Sequence, residues 1–385
     1  MYSKSSKYLL MLLFSLMVMA LVACGGAATP APAKQEAAAP AKQEAAAPAK
    51  EEATAAPAKE EAAAPAKEEA AAPAEGAFKG LKIAMLTSGP INDDGWNQTA
   101  YEGLKALEKD GAEIANTENV AQADQLDLIR SYADQGFNII IGHGFEYGDA
   151  LTAAAKEYPK ISFIQIGGIA DNGKNILSYL FRSGEGGYAA GILAGLMIPE
   201  GKLGGVGAVE IPSIAADFNA FTIAAQTVNP KVTDVPKAYT GSWVDIPKAK
   251  EAAIAQIDSG IKLIMANGDN ANVGAIEAAK ENGKTFVVGW TRNQSHLGGD
   301  LVLTSNEQRV DNILVNAVNQ IKTGTVKWGN YVVGFAEGAQ KFSTYSKVVP
   351  PEVGQEVDNV IKALSEGKIV LDDKGNVVKD EYHKK

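Results

Sequence analysis

The sequence predicts an α/β protein of two doubly wound lobes, each a mostly parallel sheet covered by helices on both faces. Three observations predict it. From Phe78 to Asp372, strand-like and helix-like apolar segments alternate in the βαβαβ rhythm of a parallel sheet. That span of about three hundred residues is large for one hydrophobic core and comfortable for two. The third observation is local. Lys82–Tyr101, KIAMLTSGPINDDGWNQTAY, reads as a buried strand over Lys82–Thr87 and a polar loop through Gly89, Pro90, Asn92, Asp93, Asp94 and Gly95. A helix starts near Trp96 and carries Tyr101, Leu104 and Leu107 at helical spacing. A first strand that feeds a first helix through such a loop is where open α/β sheets take their ligand. This loop lacks G-x-G-x-x-G, and its two acids would repel a phosphate. It offers carboxylate acceptors and the π face of Trp96, which suit a planar, nitrogen-rich, uncharged or cationic ligand.

Residues 1–23 read as an export signal: Lys4 and Lys7 give the positive end, and Tyr8–Val22 is an apolar run too short to span a membrane. The run closes on Leu21-Val22-Ala23-Cys24, which is similar to a bacterial lipobox, with Cys24 as the lipidated first residue of the mature chain. Cys24 is the only cysteine, so no disulfide staples the folded part. A multiply acylated cysteine suffices for stable anchoring. Ala27–Gly76 repeats APAK(Q/E)EAA, with a proline every eight or nine residues from Pro32 to Pro73 that interrupts any helix. Nothing in the repeat can build a core. It reads as a semi-rigid stalk, reaching about 3.1 Å per residue where extended.

Within the folded part, strands are expected at Lys82–Thr87, Ala112–Asn116, Asn138–Gly142, Ser162–Gly167 and Ile176–Phe181. Others are expected at Lys202–Val209, Lys231–Tyr239, Leu263–Ala266, Phe286–Gly289 and Leu301–Thr304. Helices are expected at Gln98–Lys109, Ala123–Gln135, Tyr147–Glu157, Gly186–Ile198, Ala215–Val228, Ile246–Ser259, Ala271–Asn282, Val310–Gly324 and Glu352–Glu366. Periodicity does not say how the two βαβ runs join.

Five blocks carry a resemblance to a known family. Ile91–Leu104 (INDDGWNQTAYEGL), Gly142–Leu151 (GHGFEYGDAL), Phe181–Ile192 (FRSGEGGYAAGI), Asn267–Lys280 and Leu303–Asp311 stand in the order and spacing of the basic membrane protein family. Its members are lipoprotein substrate-binding receptors of ABC importers, and the resemblance covers Phe78–Leu371. It implies the type I periplasmic-binding-protein fold, two Rossmann-like lobes joined by three crossovers with the ligand between them. Lobe one would be 78–182 plus 301–326, lobe two 183–300 plus 327–372, with 373–385 a charged tail. The best-known members bind purine nucleosides, and a related branch binds free purine bases. The resemblance places Trp96 at a base-stacking position and Asp93 and Asn97 at polar ones. In the second lobe, Asp217–Phe221 (DFNAF) and Thr240–Asp245 (TGSWVD) resemble the purine-base branch, so Phe218 or Phe221 would give the opposite stacking face. Trp243 stands at a strand's carboxyl end, where cleft residues sit.

The sequence departs from the family pattern in Val288–Gln294 (VGWTRNQ): nucleoside binders carry a ribose-holding Asp where Thr291 stands, and a family Lys is replaced by Gln308. A free base is therefore expected over its nucleoside, with Trp290, Arg292 and Asn293 as alternative sugar contacts. Asp269, Asn272 and Glu185 are further polar groups near element ends, each readable as a helix cap.

Three histidines, no Walker A, no G-x-S-x-G and no zinc spacing argue against an enzyme. His143 with Glu146 and Asp149 has the composition of a metal site but sits at a strand-to-helix turn, where acids ordinarily cap. His143 is expected instead to line the cleft. No metal or other cofactor is expected. A net charge of −10 disfavours nucleic acid. The expectation is thus a monomeric, lipid-anchored, extracytoplasmic receptor for a purine-like ligand that delivers to an ABC permease. A sensory receptor of the same fold is the alternative.

Overall fold

The computed structural model describes residues 76–384, and its two lobes are built alike. In the first, β1 (Lys82–Thr87), β2 (Glu113–Thr117), β3 (Ile139–His143), β4 (Ser162–Ile166) and β5 (Ile176–Phe181) alternate with α1 (Trp96–Lys109), α2 (Gln125–Asp134) and α3 (Gly148–Glu157). The second is entered through α4 (Glu185–Met197). It continues through β6 (Leu203–Gly207), α5 (Pro212–Val228), β7 (Lys237–Tyr239), α6 (Ile246–Asp258), β8 (Leu263–Asn267), α7 (Asp269–Asn282) and β9 (Phe286–Thr291). A short α8 (Ser295–Gly298) leads to β10 (Val302–Gln308). The chain then returns through α9 (Val310–Thr323) and β11 (Gly329–Val333), and crosses again to β12 (Gln340–Phe342), α10 (Pro351–Ser365), β13 (Ile369–Leu371) and β14 (Val377–Asp380).

The sheets have matching orders, β2-β1-β3-β4-β5-β11 and β7-β6-β8-β9-β10-β12, and every neighbour pair is parallel except β10 with β12. β3 reads IIIGH and is buried throughout, as a strand covered on both faces must be. Successive residues serve opposite faces. Ile83 and Met85 pack with Ala100 and Leu104 of α1 and Leu314 of α9, whereas Ala84 and Leu86 pack with Ile129 of α2 and Leu151 of α3. In the second lobe Met265 and Val288 face α4, α5 and α10, and Ile264 and Val287 face α6 and α7. Both sheets reverse direction at their first strand, so each opens its ligand crevice at the carboxyl ends of its first and third strands.

One helix pair fixes much of the second lobe. α4, EGGYAAGILAGLM, is apolar around most of its circumference and almost wholly buried. Its Gly187, Gly191 and Gly195 lie four apart, and a Cβ at each would come within 2.1, 2.3 and 2.8 Å of the α5 backbone oxygens of Asp217, Phe221 and Ala225. The close approach brings Asp217 to the N-terminal turn of α4.

The chain passes between lobes at 182–184, at 309 and at 334–339. The second and third crossings differ from the expected boundaries at 301 and 327. Val302–Gln308 pairs with β9, so it belongs to the second sheet, and Gly329–Val333 pairs with β5 in the first. Apolar alternation marks a strand but not the sheet it joins. The segment expected as a charged tail joins the second lobe: Val377–Asp380 pairs with Ile369–Leu371, Tyr382 packs on the second core, and its hydroxyl donates to Glu356. Of the expected strand Lys231–Tyr239 only Lys237–Tyr239 pairs, while Val232 and Val235 are buried in the core without a ladder. The signal, Cys24 and the stalk up to residue 75 lie outside the described residues.

Candidate functional site

The loop after β1 is shaped by Asp93. Its carboxylate accepts from the backbone N–H groups of Gly95 (2.9 Å), Asn97 (2.9 Å) and Gln98 (3.0 Å) and from Asn97 Nδ2 (2.7 Å). These bonds satisfy donors that the start of α1 would otherwise leave bare. Asp93 is buried and does not line the cleft, so the expected ligand contact is instead a cap. Asn97 does line the cleft, its amide held by Asp93.

Trp96 does so too. Its ring stacks on His143 at a centroid distance of 4.2 Å and 23°, with its edge at 5.9 Å and 71° to Phe181. His143 Nε2 lies 2.9 Å from the Trp96 carbonyl oxygen, so it carries the proton and donates. That leaves Nδ1 as a lone-pair acceptor, buried and without a protein partner. Burial pushes the imidazole down to about 4, outweighing its bond to Trp96 and the nearby Asp93, so the ring is neutral at physiological pH.

The second lobe supplies the facing wall. Asp217 Oδ1 accepts from Gly184 N–H at 2.8 Å and Oδ2 from Asn267 Nδ2 at 3.1 Å; burial nevertheless pushes its carboxyl up to about 7. Asp269, in the left-handed region at φ +42°, accepts the Trp96 N–H across the cleft at 2.7 Å. Burial, then the charge of Asp93, holds its carboxyl well above the usual range. Thr291, at φ +69°, donates its hydroxyl to the Trp290 carbonyl at 2.6 Å. A β-branched residue in that region is strained, and such strain collects at functional sites.

The space between these walls is about 1010 Å³, its open mouth included. Trp96, Asn97, His143, Trp243, Asp269, Trp290, Thr291 and Gln308 all line it. Phe218 does not, and its assignment to the ligand is corrected. Its ring lies over Gly205 and Gly207 of β6 and meets Tyr239 edge-on at 5.8 Å, with no exposed surface. The glycine-rich strand makes a trough that a phenylalanine fills. Phe221 is equally buried in the core. Arg292 and Asn293 lie outside the cleft. Asn272 braces the loops instead, accepting from Gly268 N–H and donating to the Trp290 carbonyl. Glu185 accepts the Phe335 N–H at the third crossing, at 3.0 Å.

Sequence reading missed Ser88, Glu146, Arg182, Asp217 and Asn267 as lining residues. Ser88 Oγ bonds Glu146, which had read as a cap. Arg182, the one basic side chain of the lining, is already paired: its guanidinium lies 3.4 Å from Glu185 and 3.3 Å from Glu337 and donates to the Val332 carbonyl at 3.2 Å. The signal for Asp217 and Asn267 was their place as the first residues of two quoted motifs. The cleft thus sets the carboxyl groups of Asp217 and Asp269 beside the flat rings of Trp96, Trp243 and Trp290. Among the described residues no three His, Cys, Asp or Glu side chains converge as a metal cage.

Two lobes with a crevice at both switch points are the geometry of a solute receptor. A family model described as ABC transporter substrate-binding protein PnrA-like (Bmp) matches residues 81–374. The chain belongs to the Bmp family. Among relatives of this Bmp-family chain, a protein of Bacillus subtilis named transcriptional activator protein med is 27% identical over 75% of this chain and 90% of its own length. A protein of Brucella abortus named a purine-binding protein is 29% identical over 75% of this chain and 82% of its own. An ABC solute-binding protein from Aeropyrum pernix shares the fold, with a TM-score of 0.69 at 20% identity over 76% of this chain and 93% of its own. As a Bmp-family protein the chain is a solute-binding component of an ABC transporter, a class that binds small ligands and works with permeases. No helix among the described residues is long and apolar enough to cross a membrane.

Proposed function

We propose that this chain is an extracytoplasmic receptor, held on the membrane through lipidated Cys24, that closes on a purine base or purine nucleoside and delivers it to an ABC permease. The observation that carries the reading is Trp96: an indole at the ligand edge of the first sheet, fixed by His143, in a cleft that also holds the carboxyl groups of Asp217 and Asp269. A base gains about 1–3 kcal/mol by stacking on such a ring. Its N–H edge and exocyclic amines are donors, which the Asp217 and Asp269 carboxyl groups can accept. The Brucella relative's name supports the same ligand class. The anchor rests on Leu21–Cys24 and on Cys24 being the only cysteine.

The preference for a base over its nucleoside, argued from Thr291 and Gln308, loses its premise. No Asp stands at 291, but the carboxyl groups of Asp217 and Asp269 line the same cleft and can take sugar hydroxyls. The reading therefore covers both. Calorimetric titration of adenine, guanine, hypoxanthine and xanthine beside their nucleosides tests it, with at least one purine expected to bind at micromolar concentration or below. Silence from all eight overturns the purine assignment and leaves the family standing.

A further inference from the structure

The lobes are joined by a charged cluster that touches no part of the cleft. Asp94 on the first lobe, in the left-handed region at φ +52°, meets three side chains of the second. Arg292 Nη1 lies 3.1 Å from Asp94 Oδ1 and His296 Nε2 lies 3.1 Å from Oδ2, while Gln294 Nε2 donates to the Asp94 carbonyl at 3.1 Å. The other arm of the guanidinium reaches Glu102 of α1 at 3.1 Å. One arginine of the second lobe thus holds two acids of the first, and neither Asp94, Glu102, Arg292 nor His296 lines the cleft.

The backbone is arranged to present it. Arg292 N–H donates to the Trp290 carbonyl at 2.9 Å around Thr291, a three-residue turn with positive φ at its centre, a strained form of turn. Thr291 lines the cleft on one side of that turn and Arg292 leaves it on the other. Asp94 stands two residues before Trp96, whose own N–H is bonded across the cleft to Asp269. Cluster and stacking ring therefore move as one loop.

We propose that Arg292 and His296 latch onto Asp94 as positioning residues that hold the two lobes together and so set how long a ligand stays, without touching it. A contact present only when the lobes are together multiplies that population, and apparent affinity rises by the same factor. Arg292 and Asp94 are each about three-quarters covered, with side-chain exposures of 24% and 21%, so salt screens the pair less than a surface pair but does screen it. Ligand must escape through the mouth that the latch keeps narrow, whereas capture begins with the lobes apart. The effect falls on dissociation.

The test uses the full chain with Cys24→Ser, and spin labels on Lys160→Cys in the first lobe and Lys284→Cys in the second. Interlobe distances are measured by pulsed electron resonance, and adenine dissociation by stopped-flow tryptophan fluorescence. Arg292→Ala should broaden the distances toward longer values. It should raise the adenine dissociation rate about tenfold with the association rate within twofold, and abolish most of the acceleration that 0.5 M NaCl produces in the parent. Arg292→Lys, which restores one cation for Asp94, should recover part of both effects. Unchanged distances, or unchanged dissociation beside changed distances, overturns the latch. If adenine does not bind, the distances alone decide the latch, and the purine reading is judged separately by the eight-ligand titration.

Discussion

Removing the indole of Trp96 tests the site most directly. Trp96→Ala deletes the ring that a base would stack on, a loss of about 1–3 kcal/mol. At about 1.4 kcal/mol per factor of ten, every purine ligand should bind roughly 5- to 150-fold more weakly. The ring also rests on His143 at 4.2 Å and against Phe181 at 5.9 Å, so the fold loses something too. Full burial would put that cost at about 3–5 kcal/mol, and this half-buried ring should cost about 2. The two effects separate with Trp96→Phe, which keeps a π face and should bind within about fivefold of the parent while sharing part of the stability loss. Calorimetry at a temperature where circular dichroism shows both variants folded is the assay. Purine affinity within twofold of the parent in Trp96→Ala would refute the stacking argument, whatever happened to the melting temperature.

Phe218→Leu should lower the melting temperature by several degrees and leave ligand affinity within twofold, because the ring fills the trough over Gly205 and Gly207; a tenfold affinity loss would return it to the site. His143, pushed down from 6.5 to about 4 in the fold, takes a proton more readily when unfolded, so its contribution to stability is lost as pH falls from 6.5 toward 4. His143→Asn should flatten that limb of a melting-temperature profile, and an unchanged slope would show that the ring is not a buried neutral acceptor. Asp217 runs the other way: raised from 3.8 to about 7, it holds its proton longer in the fold, so stability declines as pH climbs through that window and levels off above it. Asp217→Asn should remove the decline, as thermal melts in a buffer series would show. Cys24→Ser should move the protein from the membrane to the soluble fraction after a salt wash, and full retention would count against the lipobox.

Much of the fold was legible because parallel strands buried on both faces leave an unmistakable sequence trace, as Ile139–Ile141 does. Where each lobe's last pieces go was not legible. Val302–Gln308 and Gly329–Val333 are both plausible for either sheet, and only the packing of α9 against α1 decides that the chain has returned to the first lobe. At the site, Trp96 and Asp269 were readable from their positions at element ends. Asp93 misled because a loop acid that grips four nearby donors looks the same in sequence as one that grips a ligand. Phe218 misled for a related reason: whether an aromatic on α5 turns to the cleft or the core depends on Gly205 and Gly207 of β6, which lie outside the motif that carried it. Arg292, considered as a sugar contact, leaves the cleft because of a positive φ at Thr291 that no propensity forecasts.

The triple passage of the chain between lobes makes each lobe a patchwork of separate stretches. Val333 and Phe181 lie side by side where two of the passages leave the first sheet, and Arg182 N–H donates to the Val333 carbonyl at 2.8 Å. A single cut in any one passage therefore frees nothing. The other two remain as covalent bridges, and each severed end stays threaded into a sheet or helix pair of its own. The architecture is redundant against nicking, a useful property for a receptor that works beyond the cell's repair machinery. The same redundancy forbids modular inheritance: neither lobe can be lifted out as one contiguous gene segment, so the two halves are bound to evolve as a single unit.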